Sequence, residues 1–417
     1  MMRHPRTLEQ IVSSALCAGC GICKSIAEPG SIEMEIVEPG RMRPALRKEL
    51  SSRSLETILN VCPGINVDGR NRAEHDPTIP TDPVYGPTVS VTRGYASDDD
   101  VRFRSAAGGG LSALALYLVE SGTVDFVLHV TASRDEPMRS KRHVSFDRAQ
   151  VMDGAQSRYG PVAPLEDVVQ ILDQNRRFAF IGKPCDVNAL RNLARVDPRV
   201  NELVPYMMTF SCGAFPDELY YRRFLDRQKV RFEDLVQFRY RGHGFPGPIY
   251  ACTRDGREVS ETYLEFRTYP WTSQFRCKIC PDHSGEQADI TVMDDWPGGR
   301  PIRDERDGVV LVQARTRRGE ELVRNAQRAG YLTLGPADIA AVYSTQPHQI
   351  ARKRGAIVRL MAVAFAGGLL PRFRAIRLAR AAIGAGPWFH LQTFFSTFGR
   401  VLRGDNVEAA PAARRKE

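Results

Sequence analysis

Three cysteines stand at intervals of three in Cys17-Ala18-Gly19-Cys20-Gly21-Ile22-Cys23, and a fourth, Cys62, precedes Pro63. Thiolates at this spacing can wrap one face of a cubic iron–sulfur cluster. A triple run completed by a Cys-Pro is a bacterial four-iron pattern, here with the last ligand set further off. Gly19 and Gly21 let the backbone curl, so that amide N–H groups can turn towards the sulfurs. A zinc knot is the alternative, although zinc sites usually spend cysteines in pairs.

Four further cysteines come from three places: Cys185, Cys212 and the pair in Cys277-Lys278-Ile279-Cys280-Pro281. Cys185 and Cys212 each follow an apolar run, Phe178–Ile181 and Val204–Phe210, that reads as a buried strand. In α/β sheets ligands sit at the carboxyl ends of strands, so these four thiols are expected to converge on one site. Taken singly, either would pass for a small buried hydrophobe. Cys252, inside the apparent strand Ile249–Thr253, has no partner left and reads as packing.

The elements that must carry these residues alternate between helix and strand. Gly108-Gly109-Gly110 opens a helix over Leu111–Ser121, and Val124–Val130 follows as a strand. Asp186 is placed to cap a helix over Val187–Arg195. In the amino-terminal part, Ile32–Ile36 reads as a short strand and Ser54–Val61 as a helix. The rhythm predicts an α/β fold with a mixed, partly parallel sheet. Residues 1–75 are expected to form a small ferredoxin-like iron–sulfur module, 91–345 the α/β catalytic domain, and 346–417 a basic helical carboxy-terminal region. The prolines at 77, 80, 83 and 87 predict an irregular linker between the first two.

The chain has 417 residues, 42% hydrophobic and 26% charged, as soluble globular proteins do. Nine cysteines are too few for a disulfide scaffold, and their clustering points to metal in a reducing compartment. No secretory signal and no membrane-spanning apolar run is visible, so a cytoplasmic location is expected. The net charge of +9 suggests nucleic acid until it is located. Ten basic and no acidic residues lie between Asp338 and Asp405, which leaves the rest of the chain at −1. That distribution argues against nucleic acid as a partner. The tail reads first as helices packed on the body with solvated arginines, and second as a surface for an anionic membrane or an acidic partner. Its last residues, Ala409–Glu417, are expected to be disordered.

In their order along the chain these motifs resemble the beta-subunit family of coenzyme F420 (deazaflavin) hydrogenases and dehydrogenases, which includes 7-hydroxymethyl chlorophyll a reductase and the ferredoxin-dependent 8-vinyl reductase. The resemblance runs from about residue 15 to 345. It rests on the two cysteine sets, Ser105–Ala113, Ser157-Arg158-Tyr159, Gly182-Lys183-Pro184-Cys185, Ser211-Cys212-Gly213 and Asp289-Ile290 with Asp294-Asp295-Trp296. It implies FAD and two four-iron clusters, one on Cys17, Cys20, Cys23 and Cys62 and the other on Cys185, Cys212, Cys277 and Cys280. It also implies FAD contacts from Ser105, Gly108, Gly109, Gly110, Ser157, Arg158, Tyr159, Lys183, Gly242 and His243. The helix N-terminus after the glycines would favour a phosphate, and Lys183 would favour an anionic reduced ring. Tyr159 and His243 are the first candidates for proton donors.

The leading expectation is therefore a flavin-dependent iron–sulfur oxidoreductase. It would pass electrons from reduced ferredoxin, or a similar carrier, through both clusters to FAD and a small organic substrate. The alternative is an electron-transfer subunit that exchanges hydride with a deazaflavin coenzyme inside a larger hydrogenase or dehydrogenase complex. A zinc-stapled binding module is the third reading.

Overall fold

Short apolar runs bounded by turn residues build the centre of an eight-stranded mixed sheet. The computed structural model describes residues 3–69, 76–301 and 307–409. In chain order the strands of this sheet are β1 (Ser90–Ala96), β2 (Phe126–Ala132), β3 (Ser140–Ser145), β4 (Phe178–Ile181), β5 (Tyr206–Phe210), β6 (Ile290–Asp294), β7 (Val310–Ala314) and β8 (Leu332–Ala337). They lie side by side as β8-β1-β7-β6-β5-β4-β2-β3. The central four, β2, β4, β5 and β6, are parallel, and the flanking pairs are antiparallel.

Side chains alternate across a strand, so β4 feeds two cores. Phe178 and Phe180 point to one face, where they meet Val187 and Leu190 of helix α2 (Pro184–Leu193). Ala179 points to the other and leaves room for helix α1 (Gly110–Glu120), which brings Leu114 and Leu118 onto the sheet. Burial on both faces explains why these strands are almost continuously apolar. Each fully buried phenylalanine contributes about 1.5–3 kcal/mol.

Phe178–Ile181 and Ile249–Thr253 are strands over the expected bounds. The expected N-cap at Asp186 is corrected. The helix begins three residues earlier at Pro184, Lys183 is its N-cap, and the Asp186 carboxylate accepts from the Lys183 amide at 3.0 Å. The proline at the first helical position allows this early start, since its missing N–H would have had no partner there. The proline-rich segment is also corrected: Thr81–Asp82 pairs antiparallel with Gly86–Pro87, and Tyr85 is fully buried. Its prolines flank a packed turn. Residues 70–75 lie outside the described residues, as does the expected disordered end beyond Ala409.

A three-stranded antiparallel sheet (Leu235–Arg239, Ile249–Thr253, Glu258–Glu261) packs through Phe238, Tyr240, Tyr221 and Phe266, and Arg241 lies two residues past the end of its first strand. Near the amino terminus, the hairpin Ile32–Val37/Arg41–Leu46 and the helix Ser52–Val61 frame the first four cysteines. The tail comes back over them. Arg372–Arg374 pairs parallel with Asn66–Asp68. Val363 of α3 (Ala356–Phe365) and Val401 of α4 (Pro387–Leu402) join Ile11, Leu16, Cys17 and Cys62 in one apolar cluster. Among the described residues no helix is long and apolar enough to cross a membrane.

Candidate functional site

A cleft of about 360 Å³ opens at the carboxyl ends of β4, β5 and β6, within the size range of ligand pockets. Sheet topology puts it there, because the loops after parallel strands gather at one edge. Lys183 enters from the loop after β4, Cys212 from the loop after β5, and Asp294 with Trp296 from the end of β6.

Of the expected coenzyme contacts, Gly110, Ser157, Arg158, Tyr159 and Lys183 line this cleft. Ser105, Gly108, Gly109, Gly242 and His243 do not. Ser105 is buried and donates to Ser112 at 2.9 Å. Gly108 has φ +68°, and a Cβ there would stand 2.7 Å from the Gly308 carbonyl oxygen. This glycine therefore serves a tight turn against a neighbouring loop. Gly242 is pressed against the Arg104 carbonyl in the same way, at 2.6 Å from a would-be Cβ. His243 is exposed, off the cleft, with its ring tilted against Phe103.

Arg158 reaches the cleft with its donors already engaged. It donates to the carbonyls of Pro137, Arg139 and Phe238 at 2.8, 2.7 and 3.1 Å, and to Ser140 Oγ at 3.2 Å. It ties the cleft wall together. Tyr159 stacks on Tyr221. Lys183 pairs with Asp186 at 2.8 Å, and its pKa is raised because that carboxylate and the nearby Cys185 outweigh the desolvation by burial.

Sequence reasoning missed part of the wall. Arg241 forms a two-pronged pair with Asp294 at 2.9 and 3.2 Å, and its guanidinium lies over Trp296. Tyr263, Trp271 and His129 also line the cleft. Trp296 sits inside a motif already singled out and Arg241 directly precedes Gly242, whereas nothing in spacing marks Tyr263, Trp271 or His129. Burial carries the His129 ring from 6.5 down to about 3, and His143 adds to the effect. The ring is therefore neutral, with Nε2 2.7 Å from Ser145 Oγ.

The eight cysteines fall into two sets. Cys20 is close enough to feel Cys62 and Cys23, and Cys23 to feel Cys17 and Cys62. Cys185 feels Cys212 and Cys277, and Cys212 feels Cys277 and Cys280. Burial pushes the Cys62 and Cys212 thiols up to about 12, with Cys17 and Cys277 respectively adding to it. All nine cysteines are free, and Cys252 stands in its strand outside either set. Among the described residues, no three His, Cys, Asp or Glu side chains are placed to hold a single metal ion.

The donor chemistry does fit iron–sulfur clusters: four thiols per set, buried in the first and half-buried in the second, unpaired by disulfides, with N–H groups directed at sulfur. The Gly19 amide donates to Cys17 Sγ at 3.4 Å, and Gln274 Nε2 to Cys277 Sγ at 3.4 Å. Buried thiolates need a cation to offset their charge, which is what bound metal supplies. His283, another residue the sequence did not flag, braces the second set. Its Nδ1 lies 2.9 Å from the Cys212 carbonyl and its Nε2 3.2 Å from that of Cys277.

Arg276 stands between the sets. It is 3% exposed, feels Cys280, Cys185 and Cys277, and lowers the pKa of Cys62 from the other side. One nitrogen donates to the Pro63 carbonyl at 3.0 Å, while Nε and Nη1 have no hydrogen-bond partner. Arg43 makes a second link. It neighbours Cys17 and donates to Gln274, the residue whose amide meets Cys277.

Two family models of the coenzyme F420 hydrogenase/dehydrogenase beta subunit match the chain, the amino-terminal one over residues 91–170 and the carboxy-terminal one over residues 175–340. A subunit of the F(420)H(2) dehydrogenase of Methanosarcina mazei is 22% identical over 295 residues, 69% of this chain and 78% of that protein. Coenzyme F420-dependent sulfite reductase of Methanocaldococcus jannaschii is 23% identical over 325 residues, 76% of this chain but 47% of that protein. A chain of the F420-reducing NiFe hydrogenase complex from Methanosarcina barkeri shares the fold, with a TM-score of 0.54 and 19% identity. The match covers 70% of this chain and 99% of that one. The coenzyme in these names is F420, a deazaflavin, and FAD is in none of them, which overturns the expectation of FAD. Across residues 91–170 and 175–340, then, this chain belongs to the coenzyme F420 hydrogenase/dehydrogenase beta-subunit family.

Proposed function

We propose that this chain is the electron-transfer subunit of a larger oxidoreductase and that it exchanges electron pairs with the deazaflavin coenzyme F420. The observation that carries this reading is Cys212, which belongs to the second cysteine set and also lines the cleft. A ligand in the cleft lies against the wall that bears this thiol. The relatives' names support the subunit role, since they include one subunit of a dehydrogenase and the beta subunit of a hydrogenase. The ferredoxin-fed reductase gives way to this alternative for the same reason.

In this reading Cys17, Cys20, Cys23 and Cys62 hold one four-iron cluster, and Cys185, Cys212, Cys277 and Cys280 the other. Such clusters carry single electrons, which a deazaflavin collects in pairs. Residues 1–75 then serve as the module that receives electrons and 91–345 as the coenzyme domain. Lys183 supplies positive charge at the cleft, Tyr159 and Trp271 offer ring faces, and the Arg241–Asp294 pair fixes the wall near Trp296. The carboxy-terminal region covers the first cysteine set.

The test is anaerobic. The chain is loaded with iron and sulfide, then mixed with F420 and a reduced viologen dye. Loss of the coenzyme's visible absorption in the wild type, and its retention in Cys212→Ser, are expected. A wild type with full iron that leaves F420 oxidised would sink the proposal.

A further inference from the structure

We propose that the outer face of the two tail helices docks on an anionic lipid surface. The face lies outside both matched family regions, and the inference does not depend on iron or coenzyme. Eight of the thirteen large hydrophobic side chains exposed in the described residues fall between Met361 and Val407, so the exposed apolar surface is concentrated there. On α4, Trp388, Leu391, Phe395 and Leu402 are exposed. At about 100° per residue these four fall within an arc of roughly 60°, a single stripe along the helix. The opposite side of α4 packs inward through Thr397 and Val401. Phe365 of α3, 74% exposed, continues the stripe through its ring contact with Phe394.

The charge identifies the occupant. No acidic residue occurs between Asp338 and Asp405, and ten basic residues do. Some of these are used internally: Lys353 and Arg377 pair with Glu286, and Arg352 donates to the Cys277 carbonyl at 2.9 Å. Arg372, Arg374, Arg380 and Arg403 remain exposed. A stripe of Trp, Phe and Leu with arginine beside it, and with Asp405 past its end facing Lys278 at 3.6 Å, is the chemistry of helices that lie in the headgroup layer of an acidic membrane. With 16 residues, α4 is about 24 Å long and lies along such a surface without crossing it.

The experiment is co-sedimentation of the full chain with vesicles of phosphatidylcholine alone or with about a third phosphatidylglycerol. Binding is expected on the acidic vesicles, and much less on the neutral ones. It should fall roughly tenfold or more in W388S/F395S, which removes apolar contact, and in R380E/R403E, which reverses charge. All four side chains are exposed, so an unchanged thermal midpoint serves as the folding control. Wild type left in the supernatant with acidic vesicles would overturn the proposal. So would variants that sediment as well as wild type, or loss of self-association or partner binding in these variants without vesicle binding in wild type.

Discussion

Cys212 has two neighbourhoods, the second cysteine set and the cleft, and the same dual position makes its removal informative. Cys212→Ser is expected to lose about half the iron, four of about eight atoms per chain, and to keep the set around Cys17. An iron assay with the visible spectrum checks this. Arg276 makes a finer prediction. Its buried positive charge favours the more negative, reduced state of either cluster, so Arg276→Gln should lower reduction potentials by on the order of tens of millivolts at unchanged iron content. A spectroscopic redox titration reads it. His129 governs acid stability. Its ring is neutral in the folded chain down to about pH 3 but takes up a proton near 6.5 when unfolded. Its contribution is therefore intact above pH 6.5 and is lost as pH falls towards 3, at about 1.4 kcal/mol per pH unit. Urea unfolding at pH 6 and pH 4 should show a smaller loss in His129→Gln. The two cysteine sets were legible because their spacing and their places after apolar runs are local patterns of the sequence. Arg276, His129 and His283 were not, because each acts through burial among distant segments and leaves no local pattern.

At the scale of elements, short buried strands were easy to read, and the glycine triplet was misleading. Phe178–Ile181 is apolar on both faces and bounded by Gly182, so its limits are written in its composition. Gly108-Gly109-Gly110 looks like a phosphate loop, yet its first two members are needed for positive φ and for contact with the loop at Gly308 and with Val101. Gly108→Ala must hold a side chain at φ +68° against a backbone oxygen, which is expected to cost on the order of 2–4 kcal/mol. Chemical denaturation measures this, and the iron content of the folded fraction should not change. The missing part of the site comes from β2, which carries His129, and from segments that flank the three-stranded sheet, which carry Arg241, Tyr263 and Trp271, so its assembly is a matter of tertiary packing. Arg241 reaches Asp294 across 53 positions of sequence, which no local periodicity reports.

For the whole molecule, the tail is joined to the body by a buried ionic group. Glu286, 2% exposed at its side chain, receives both Lys353 and Arg377. Glu286→Gln leaves Lys353 buried without its counter-charge, at a cost of about 3–5 kcal/mol. Limited trypsin digestion should then release the tail before the body is cut. Loss of the tail would expose the first cysteine set, because Val363, Leu370 and Val401 pack in the same cluster as Cys17 and Cys62. Amino-terminal region, cleft and tail thus depend on one another through two links, Arg276 between the cysteine sets and Glu286 beneath the tail.

The central claim is that iron–sulfur clusters held by the two cysteine sets carry electrons to and from a deazaflavin in the cleft. Rapid anaerobic mixing of the iron-loaded chain with reduced F420 tests it most directly. The broad thiolate–iron absorption should bleach as the coenzyme's oxidised band appears, at one coenzyme per two electrons taken up. A chain that holds its full iron and shows no such exchange would contradict it.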